Sequence, residues 1–134
     1  MTYSEDKMTA LVSLARCIQL RAPYEFWATP VSELCKVCNG IGADWQSPAT
    51  RAIITKAVGY AEAAAVIHDW RYSKPEMDWQ KEADEEFLMN ALKLVHYKYP
   101  HWWQPRRWLG ERAVLAMYAV LERLGFIAYK IKAE

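Results

Sequence analysis

The chain has 134 residues, 53% of them apolar, which is enough for one globular domain with a single hydrophobic core. Its 17 basic and 16 acidic side chains give a formal charge of +1, so no nucleic-acid partner is expected. No apolar run approaches the roughly 20 residues that a membrane-spanning helix needs, and residues 1–20 lack signal-peptide architecture. We therefore predict one soluble, cytoplasmic domain over residues 1–134.

Capping residues and helical periodicity predict two helices in the first third of the chain. Ser4 precedes an acidic pair and apolar residues at helical spacing, so a first helix should start there, and Pro23 should end it. Its apolar face comprises Met8, Leu11, Val12, Ala15 and Ile18. Thr29-Pro30 is a capping residue followed by a proline suited to the first helical position, which predicts a short helix from residue 30 to about residue 38.

Two longer helices are predicted in the middle of the chain. Ser47-Pro48 is another cap followed by proline, and the sequence after it, rich in Ala, Ile and Val, predicts helix up to Tyr72. A polar turn over residues 74–78 separates it from a helix that runs from Trp79 to about Tyr97. Because short connections favour antiparallel neighbours, we expect these two helices to pack antiparallel.

The last third of the chain predicts an aromatic loop, one amphipathic helix and a tail. The helix runs from Trp108 to Leu124, and Gly125 is suited to cap it. Its apolar stripe consists of Val114, Met117, Tyr118, Leu121 and Leu124. Alternating residues from Ile127 to Ile131 predict a short extended tail. The predicted fold class is mainly α, a small single-domain bundle of four to five helices.

Residues 68–72 (HDWRY) and 83–87 (ADEEF) carry the side chains best suited to chemistry. Histidine can accept a proton near neutral pH, which makes His68 a general-base candidate. Asp84 on the following helix could orient that imidazole through a hydrogen bond. A lone histidine on an apolar helix is more often a hydrogen-bonded core residue, and the residues alone leave the two interpretations evenly balanced.

The Asn39–Asp44 segment contains Gly40 and Gly42, which allow a loop to turn sharply and bring backbone carbonyls together. Hard cations such as calcium bind backbone carbonyls together with a carboxylate. A plain connection between two helices is the simpler interpretation of a loop with two glycines, and the residues alone favour it.

The cysteines Cys17, Cys35 and Cys38 are an odd number and too few for a disulfide framework, so we expect reduced thiols. Cys35 and Cys38 have the spacing of a zinc or redox pair. A structural zinc site needs four ligands, and the sequence offers no second pair. We therefore predict no zinc and interpret the pair as small buried thiols on a short helix.

The segment from His101 to Trp108 contains three tryptophans and two arginines, Trp102, Trp103, Arg106, Arg107 and Trp108. We call it the Trp/Arg loop. Trp and Arg are typical of membrane interfaces and of binding hot spots, but they also stack on one another inside ordinary folds. We expect some of these rings to be part of the core, and a binding surface is the second interpretation.

Residues 63–72 followed by residues 83–87 resemble two related patterns. One is that of the phospholipase A₂-like superfamily, which includes the phospholipase domain of parvovirus capsid proteins: a glycine-bearing calcium loop, His-Asp-x-x-Tyr, and a second Asp on an antiparallel helix. The other is a phage- and prophage-associated family of unknown function. The resemblance to that family also includes Asp44-Trp45-Gln46-Ser47-Pro48, Met117-Tyr118 and Gly125.

The phospholipase A₂-like resemblance implies specific roles at the matching positions. His68 would deprotonate a water molecule, Asp84 would orient His68, and Tyr72 would brace Asp84. Asp69, together with carbonyls near Gly40 and Gly42, would hold a calcium ion that polarises the ester carbonyl.

Two functions follow as expectations. The first is a metal-assisted ester hydrolase of phage or prophage origin that acts on phospholipid. The second is a non-enzymatic phage protein that binds a host or virion protein through the Trp/Arg loop. Either would be located in the cytoplasm of an infected or lysogenic bacterial cell, or on the virion.

Overall fold

The computed structural model describes residues 3–38, 61–74 and 80–122. Within these ranges the chain is helical and contains no strand, so the predicted mainly α class is confirmed. The helices are α1 (Glu5–Cys17), α2 (Tyr24–Trp27), α3 (Val31–Val37), α4 (residues 61–72), α5 (Gln80–Lys98) and α6 (Pro105–Val120). The count exceeds four to five because α2, a single turn, is not apparent in the periodicity. No helix of this part of the chain is long and apolar enough to cross a membrane.

Helix α1 starts where the sequence predicts. The Ser4 side chain caps it by accepting a hydrogen bond from the Lys7 amide at 3.1 Å. The buried residues of its inner face are Met8, Leu11 and Ala15. This face follows the predicted stripe, and α1 packs it against the rest of the core, with α3 as a neighbour.

The end of α1 differs from the prediction. The helix stops at Cys17, well before Pro23, because Gln19 adopts a left-handed φ of 58°. The Gln19 amide then donates to the Arg16 carbonyl, and the Leu20 amide donates to the Ala15 carbonyl. This is a Schellman ending, which usually takes glycine at the left-handed position. Because glutamine occupies the left-handed position, the sequence carries no recognisable signal for the end of the helix. The prediction that Pro23 ends α1 is therefore wrong.

The short helix predicted after Thr29-Pro30 is confirmed as α3, but its predicted capping is wrong. Pro30 is the N-cap of α3 with an extended backbone, and not its first helical residue. The Thr29 hydroxyl donates to the Glu25 carbonyl at 2.7 Å, so it closes the short helix α2 behind it. Thr29 therefore terminates one helix while the next begins two residues later.

Helix α4 is the centre of the core. Almost every residue of its described part is buried, including the alanine run and the two residues after it: Ala61, Ala63, Ala64, Ala65, Val66 and Ile67. Small side chains let neighbouring helices approach closely, which is why such a helix can be enclosed on several sides. The start predicted at Ser47-Pro48 lies outside the described residues.

Helix α5 packs antiparallel to α4. Near the end of α4 the Tyr72 hydroxyl contacts Asp84, whereas one turn earlier the His68 ring lies against Phe87. Residue numbers in α5 therefore rise as those in α4 fall, as predicted for helices joined by a short connection. The buried face of α5 includes Ala83, Phe87, Ala91 and Val95.

Asn90 fixes the middle of α5 to the chain that leaves α1. Its side chain is fully buried, accepts a hydrogen bond from the Arg21 amide at 2.8 Å and donates to the Arg21 carbonyl at 2.7 Å. The Asn90 side chain therefore satisfies both the backbone N–H and the backbone C=O of Arg21, as a neighbouring strand would do in a sheet.

Helix α6 starts at Pro105, with Gln104 as the N-cap, which is earlier than the predicted Trp108. Proline suits the first turn of a helix because its missing amide would have no partner there. The helix packs on α5, and the predicted Val114, Met117 and Leu121 are buried. Its predicted end at Leu124, the Gly125 cap and the extended tail lie outside the described residues.

Candidate functional site

The predicted contact between His68 and Asp84, a pair that we call the dyad, is confirmed. His68 Nε2 lies 2.8 Å from Asp84 Oδ1. The two residues expose only 5% and 4% of their surfaces, so the contact is made in the protein interior. The antiparallel packing of α4 on α5 positions both side chains, since each projects from a buried helical face towards the other.

Tyr72 binds the same carboxylate. Its hydroxyl donates to Asp84 Oδ1 at 2.8 Å, as the phospholipase A₂-like resemblance implies. Tyr72 lies one helical turn after His68, and the centres of the two rings are 4.2 Å apart. The Phe87 ring meets the imidazole edge to face at 5.6 Å. The imidazole is therefore held by one hydrogen bond and by aromatic rings of both helices.

The hydrogen bonds determine which imidazole nitrogen can react. Asp84 is an acceptor, so Nε2 carries the proton that it donates, and in the neutral ring Nδ1 then keeps the lone pair. Nδ1 has no hydrogen-bond partner among residues 3–38, 61–74 and 80–122. The arrangement can therefore orient a neutral histidine whose second nitrogen is a base.

A second contact between α4 and α5 was not assigned from the sequence. The Arg71 guanidinium binds the Glu86 carboxylate through two hydrogen bonds, Nε to Oε1 at 2.8 Å and Nη2 to Oε2 at 2.9 Å. Both side chains are largely buried. Both residues lie inside the two recognised segments, so opposite charges at those positions were the signal. Two-point contacts of this kind fix orientation as well as distance.

Asp69 follows His68 directly in α4, about 100° further around the helix, and is half-buried. The pKa of the Tyr3 hydroxyl is raised, mainly by burial and then by the charge of Glu62 and a hydrogen bond with it. The charge of Asp69 raises this pKa further. Asp69 thus lies in a carboxylate-bearing region where the N-terminal residues meet α4. No group of three or more His, Cys, Asp or Glu side chains that could hold a metal occurs in the described ranges.

The rest of the implied calcium site lies outside the described residues. Gly40 and Gly42 both fall in residues 39–60, so the loop prediction stays a prediction. Of the implied ligands, Asp69 is the one that the structure describes. A carboxylate on the helix face next to the dyad fits the chemistry of a hard cation, which prefers oxygen ligands.

The cysteines lie apart from this site. Cys17, Cys35 and Cys38, all within the described ranges, form no disulfide there. Cys17 is exposed, whereas the buried Cys38 follows the end of α3 and its thiol contacts the Val66 carbonyl at 3.3 Å. The interpretation as a small buried thiol is confirmed for Cys38, although Cys38 caps α3 and is not within it. It is wrong for Cys35, which lies within α3 but is only half-buried.

A surface pocket of about 280 Å³ opens beside the dyad carboxylate. Its lining residues are Lys81, Asp84, Glu85, Tyr118 and Glu122, from α5 and the end of α6. A hydrogen bond with Glu122 raises the pKa of the Tyr118 hydroxyl, and burial and the charges of Glu122, Glu85 and Asp84 raise it further. The pocket therefore has an acidic lining, which sequence analysis missed because its residues lie on two distant helices.

The Trp/Arg loop lies at the other end of α5. Trp102, Trp103 and Trp108 expose 73%, 59% and 52% of their surfaces, so the expectation that some of these rings are part of the core is wrong. Arg106 is exposed and Arg107 is half-buried, with a hydrogen bond to the Pro100 carbonyl at 3.1 Å.

The Trp/Arg loop and the dyad are far apart. From Asp84 to the end of α5 at Lys98 the helix rises roughly 20 Å, at about 1.5 Å per residue. The loop therefore does not form the rim of the dyad, and the structure does not bring together these two groups of predicted site residues.

A family model described as "Protein of unknown function (DUF1353)" matches residues 18–109. This match spans more than half of the chain and contains α4, α5 and both recognised segments, so the chain belongs to that family. The comparisons with curated proteins and with solved structures found no match.

Proposed function

We propose that this member of the DUF1353 family is an ester hydrolase of the phospholipase A₂-like type, with His68 as general base. One observation carries the proposal: His68 Nε2 and the Tyr72 hydroxyl both bind Asp84 Oδ1 at 2.8 Å, which leaves the other imidazole nitrogen as a base. The DUF1353 family is of unknown function, so the proposal comes from this geometry and from the sequence resemblance.

Together with Tyr72, the dyad forms a triad, and each of its members has a separate role in hydrolysis. His68 Nδ1 would take a proton from water as the water oxygen attacks the ester carbonyl carbon, and would return it to the departing alkoxide. Asp84 would fix the tautomer and stabilise the imidazolium formed in between. Tyr72 would hold the carboxylate in place, since its hydrogen bond restrains Oδ1 from a second direction.

The energetics of the triad support a functional interpretation. A carboxylate that is 4% exposed has lost most of its hydration, which is costly even when the carboxylate is paired. Apolar residues of similar volume in place of a buried ionic pair often leave a protein equally or more stable. Stability alone therefore gives little reason to place a His, an Asp and a Tyr together inside a hydrophobic core.

Calcium belongs to this proposal through the resemblance. Asp69 would be its carboxylate ligand, and backbone carbonyls near Gly40 and Gly42 would complete the site. When bound, the ion would supply charge stabilisation to the ester oxygen. A calorimetric calcium titration of the wild type and of Asp69→Asn tests this separately, because removal of a charged ligand should weaken binding.

The phospholipase A₂-like resemblance suggests phospholipid as substrate, and the resemblance to the phage- and prophage-associated family suggests phage or prophage as origin. The site of action would then be the infected or lysogenic bacterial cell, or the virion. These assignments depend on the sequence pattern of residues 63–72 and 83–87 and not on the hydrogen-bond geometry. If they are wrong, the proposed hydrolase chemistry, which depends on that geometry, still stands.

The test measures fatty-acid release from mixed phospholipid vesicles with and without calcium. His68→Ala should lower the rate by about 100- to 10,000-fold, the usual contribution of a general base. On a soluble short-chain ester, His96→Ala is the matched control: its imidazole binds Glu111 at 3.0 Å, away from the dyad, so the rate should stay near that of the wild type. If the wild type releases no more fatty acid than His68→Ala, the protein is not this hydrolase.

The second candidate function is binding without catalysis. The exposure of three tryptophans in the Trp/Arg loop favours it, because large exposed rings are typical of binding hot spots. In this case a host or virion protein would bind the loop, and the dyad would be a satisfied polar contact in the core. Hydrolysis by the wild type that is lost in His68→Ala would rule this alternative out as the whole function.

A further inference from the structure

We propose that the exposed aromatic surface at the α5–α6 turn docks on an anionic lipid surface. This lipid-docking face consists of Trp102, Trp103, Trp108, Leu109 and Arg106. The proposal rests on the proposed function for its substrate class, since docking would bring the protein to a surface that contains phospholipid. Docking itself requires no catalysis, so the two can fail separately.

The Trp108 indole of this face can enter a bilayer interface without leaving its donor unpaired. Trp108 Nε1 donates to the Trp102 carbonyl at 2.7 Å, so its N–H is already satisfied within the protein. The Trp103 ring stacks on His101, with ring centres 5.2 Å apart and an angle of 11° between the planes. Preformed internal contacts hold these rings while their outer surfaces remain exposed, and Trp is the residue most enriched at membrane interfaces.

Helix α6 carries apolar residues on both faces, unlike a helix that only covers a soluble core. Its inner face buries Gly110, Ala113, Val114 and Met117. Its outer face exposes Trp108, Leu109 and Leu115, each by about half. An interfacial helix lies in the plane of the membrane with apolar and basic residues towards the lipid, which is the composition of this outer face.

The charge around this face matches an anionic lipid surface. Residues 97–112 contain four basic side chains, Lys98, Arg106, Arg107 and Arg112, and one acidic side chain, whereas the whole chain has a formal charge of +1. That carboxylate, Glu111, is engaged by His96 at 3.0 Å and by Arg107 at 4.0 Å. The segment therefore presents positive charge, which the negative potential of an anionic leaflet attracts.

The experiment is co-sedimentation of the full chain with phosphatidylcholine vesicles and with vesicles that contain phosphatidylglycerol. The wild type should bind the anionic vesicles more tightly, and added salt should reduce the difference. Arg106→Glu changes the local charge by two units, each worth about fivefold at such a surface, so binding should fall by on the order of 25-fold. Trp103→Ala should lower it by roughly tenfold.

Matched controls keep the test specific. Lys36→Glu on α3 makes the same charge change at an exposed site elsewhere, and Tyr24→Ala removes an exposed ring that is far from this face in sequence. Both should bind like the wild type, as should His68→Ala, which separates docking from catalysis. Absence of binding to anionic vesicles would overturn the proposal and leave a protein partner as occupant of the face. Equal losses in Lys36→Glu and Arg106→Glu would overturn it too.

Discussion

The two ends of α5 differ in which side chains are buried and which are exposed. At one end His68, Asp84 and Tyr72 are almost completely enclosed, and their polar atoms are held by short hydrogen bonds. At the other end Trp102 and Trp103 are mostly exposed. One end buries polar groups, and the other exposes apolar ones, which are the two kinds of placement that stability alone least explains.

This difference teaches that the candidate catalytic site and the candidate binding surface are separated along α5. Roughly 20 Å of helix lies between Asp84 and the Trp/Arg loop. A change at one end should therefore leave the other unaffected, because distant sites without shared partners behave additively. The predictions below test this independence, from the largest expected effect to the smallest.

The largest effect is expected at Asp84. Asp84→Asn keeps the size of the side chain but removes the charge that stabilises an imidazolium, so the hydrolysis rate should fall on the order of 1,000- to 10,000-fold. Tyr72→Phe removes one of the two hydrogen bonds to Oδ1 and should lower the rate only about tenfold. Initial rates with circular dichroism of each variant give the answer. Equal losses would show that Tyr72 does more than hold the carboxylate.

The next comparison removes one ring from each end. Phe87 is fully buried against the imidazole, so Phe87→Ala should lower the free energy of unfolding by about 3–5 kcal/mol. Trp103→Ala removes a larger ring that is mostly exposed and should change it by less than about 0.5 kcal/mol. Urea unfolding measures both. A large loss in Trp103→Ala would mean that the Trp/Arg loop serves folding and not binding.

A change at Asn90, between the two ends of α5, should lower the stability of the whole fold. Asn90→Ala leaves the amide and the carbonyl of Arg21 without their buried partner, which should lower the free energy of unfolding by about 2–4 kcal/mol. Lys93→Ala is the control: it removes an exposed contact with the Gln19 carbonyl, so we expect a change below about 0.5 kcal/mol. Equal effects would show that Asn90 is not the anchor of α5.

The smallest effect concerns the acidic pocket beside Asp84. The Glu122 hydrogen bond and charge, together with burial, keep the pKa of the Tyr118 hydroxyl above its ordinary value, because they disfavour the phenolate. Glu122→Gln removes the charge, so the pKa should move back down. A pH titration of the tyrosine ring carbons by NMR checks the direction. A pKa that rises in Glu122→Gln would contradict the acidic character of the pocket.

Much of the dyad end could be predicted from the sequence. His68, Tyr72 and Asp84 lie in helices with clear periodicity, and a short connection fixes their antiparallel packing. The partners Arg71 and Glu86 lie in the same segments, but periodicity does not reveal which charges meet. The pocket formed with Tyr118 and Glu122 depends on tertiary packing alone.

The Trp/Arg loop shows where composition misleads. Trp102, Trp103 and Trp108 were expected partly in the core because large rings usually gain most from burial. The hydrophobic core takes side chains from every described helix but none of these three rings, which lie on the surface. Helix ends were also misjudged at Gln19 and Thr29, where backbone conformation and capping override residue preference.

The most direct test of the account assays a monomeric short-chain ester and anionic phospholipid vesicles side by side. The wild type, His68→Ala and Trp103→Ala are compared on both substrates. We predict that His68→Ala loses hydrolysis of both, whereas Trp103→Ala hydrolyses the soluble ester like the wild type and loses activity on vesicles. Wild-type activity no greater than that of His68→Ala on either substrate would contradict the central claim that His68 and Asp84 form a catalytic dyad.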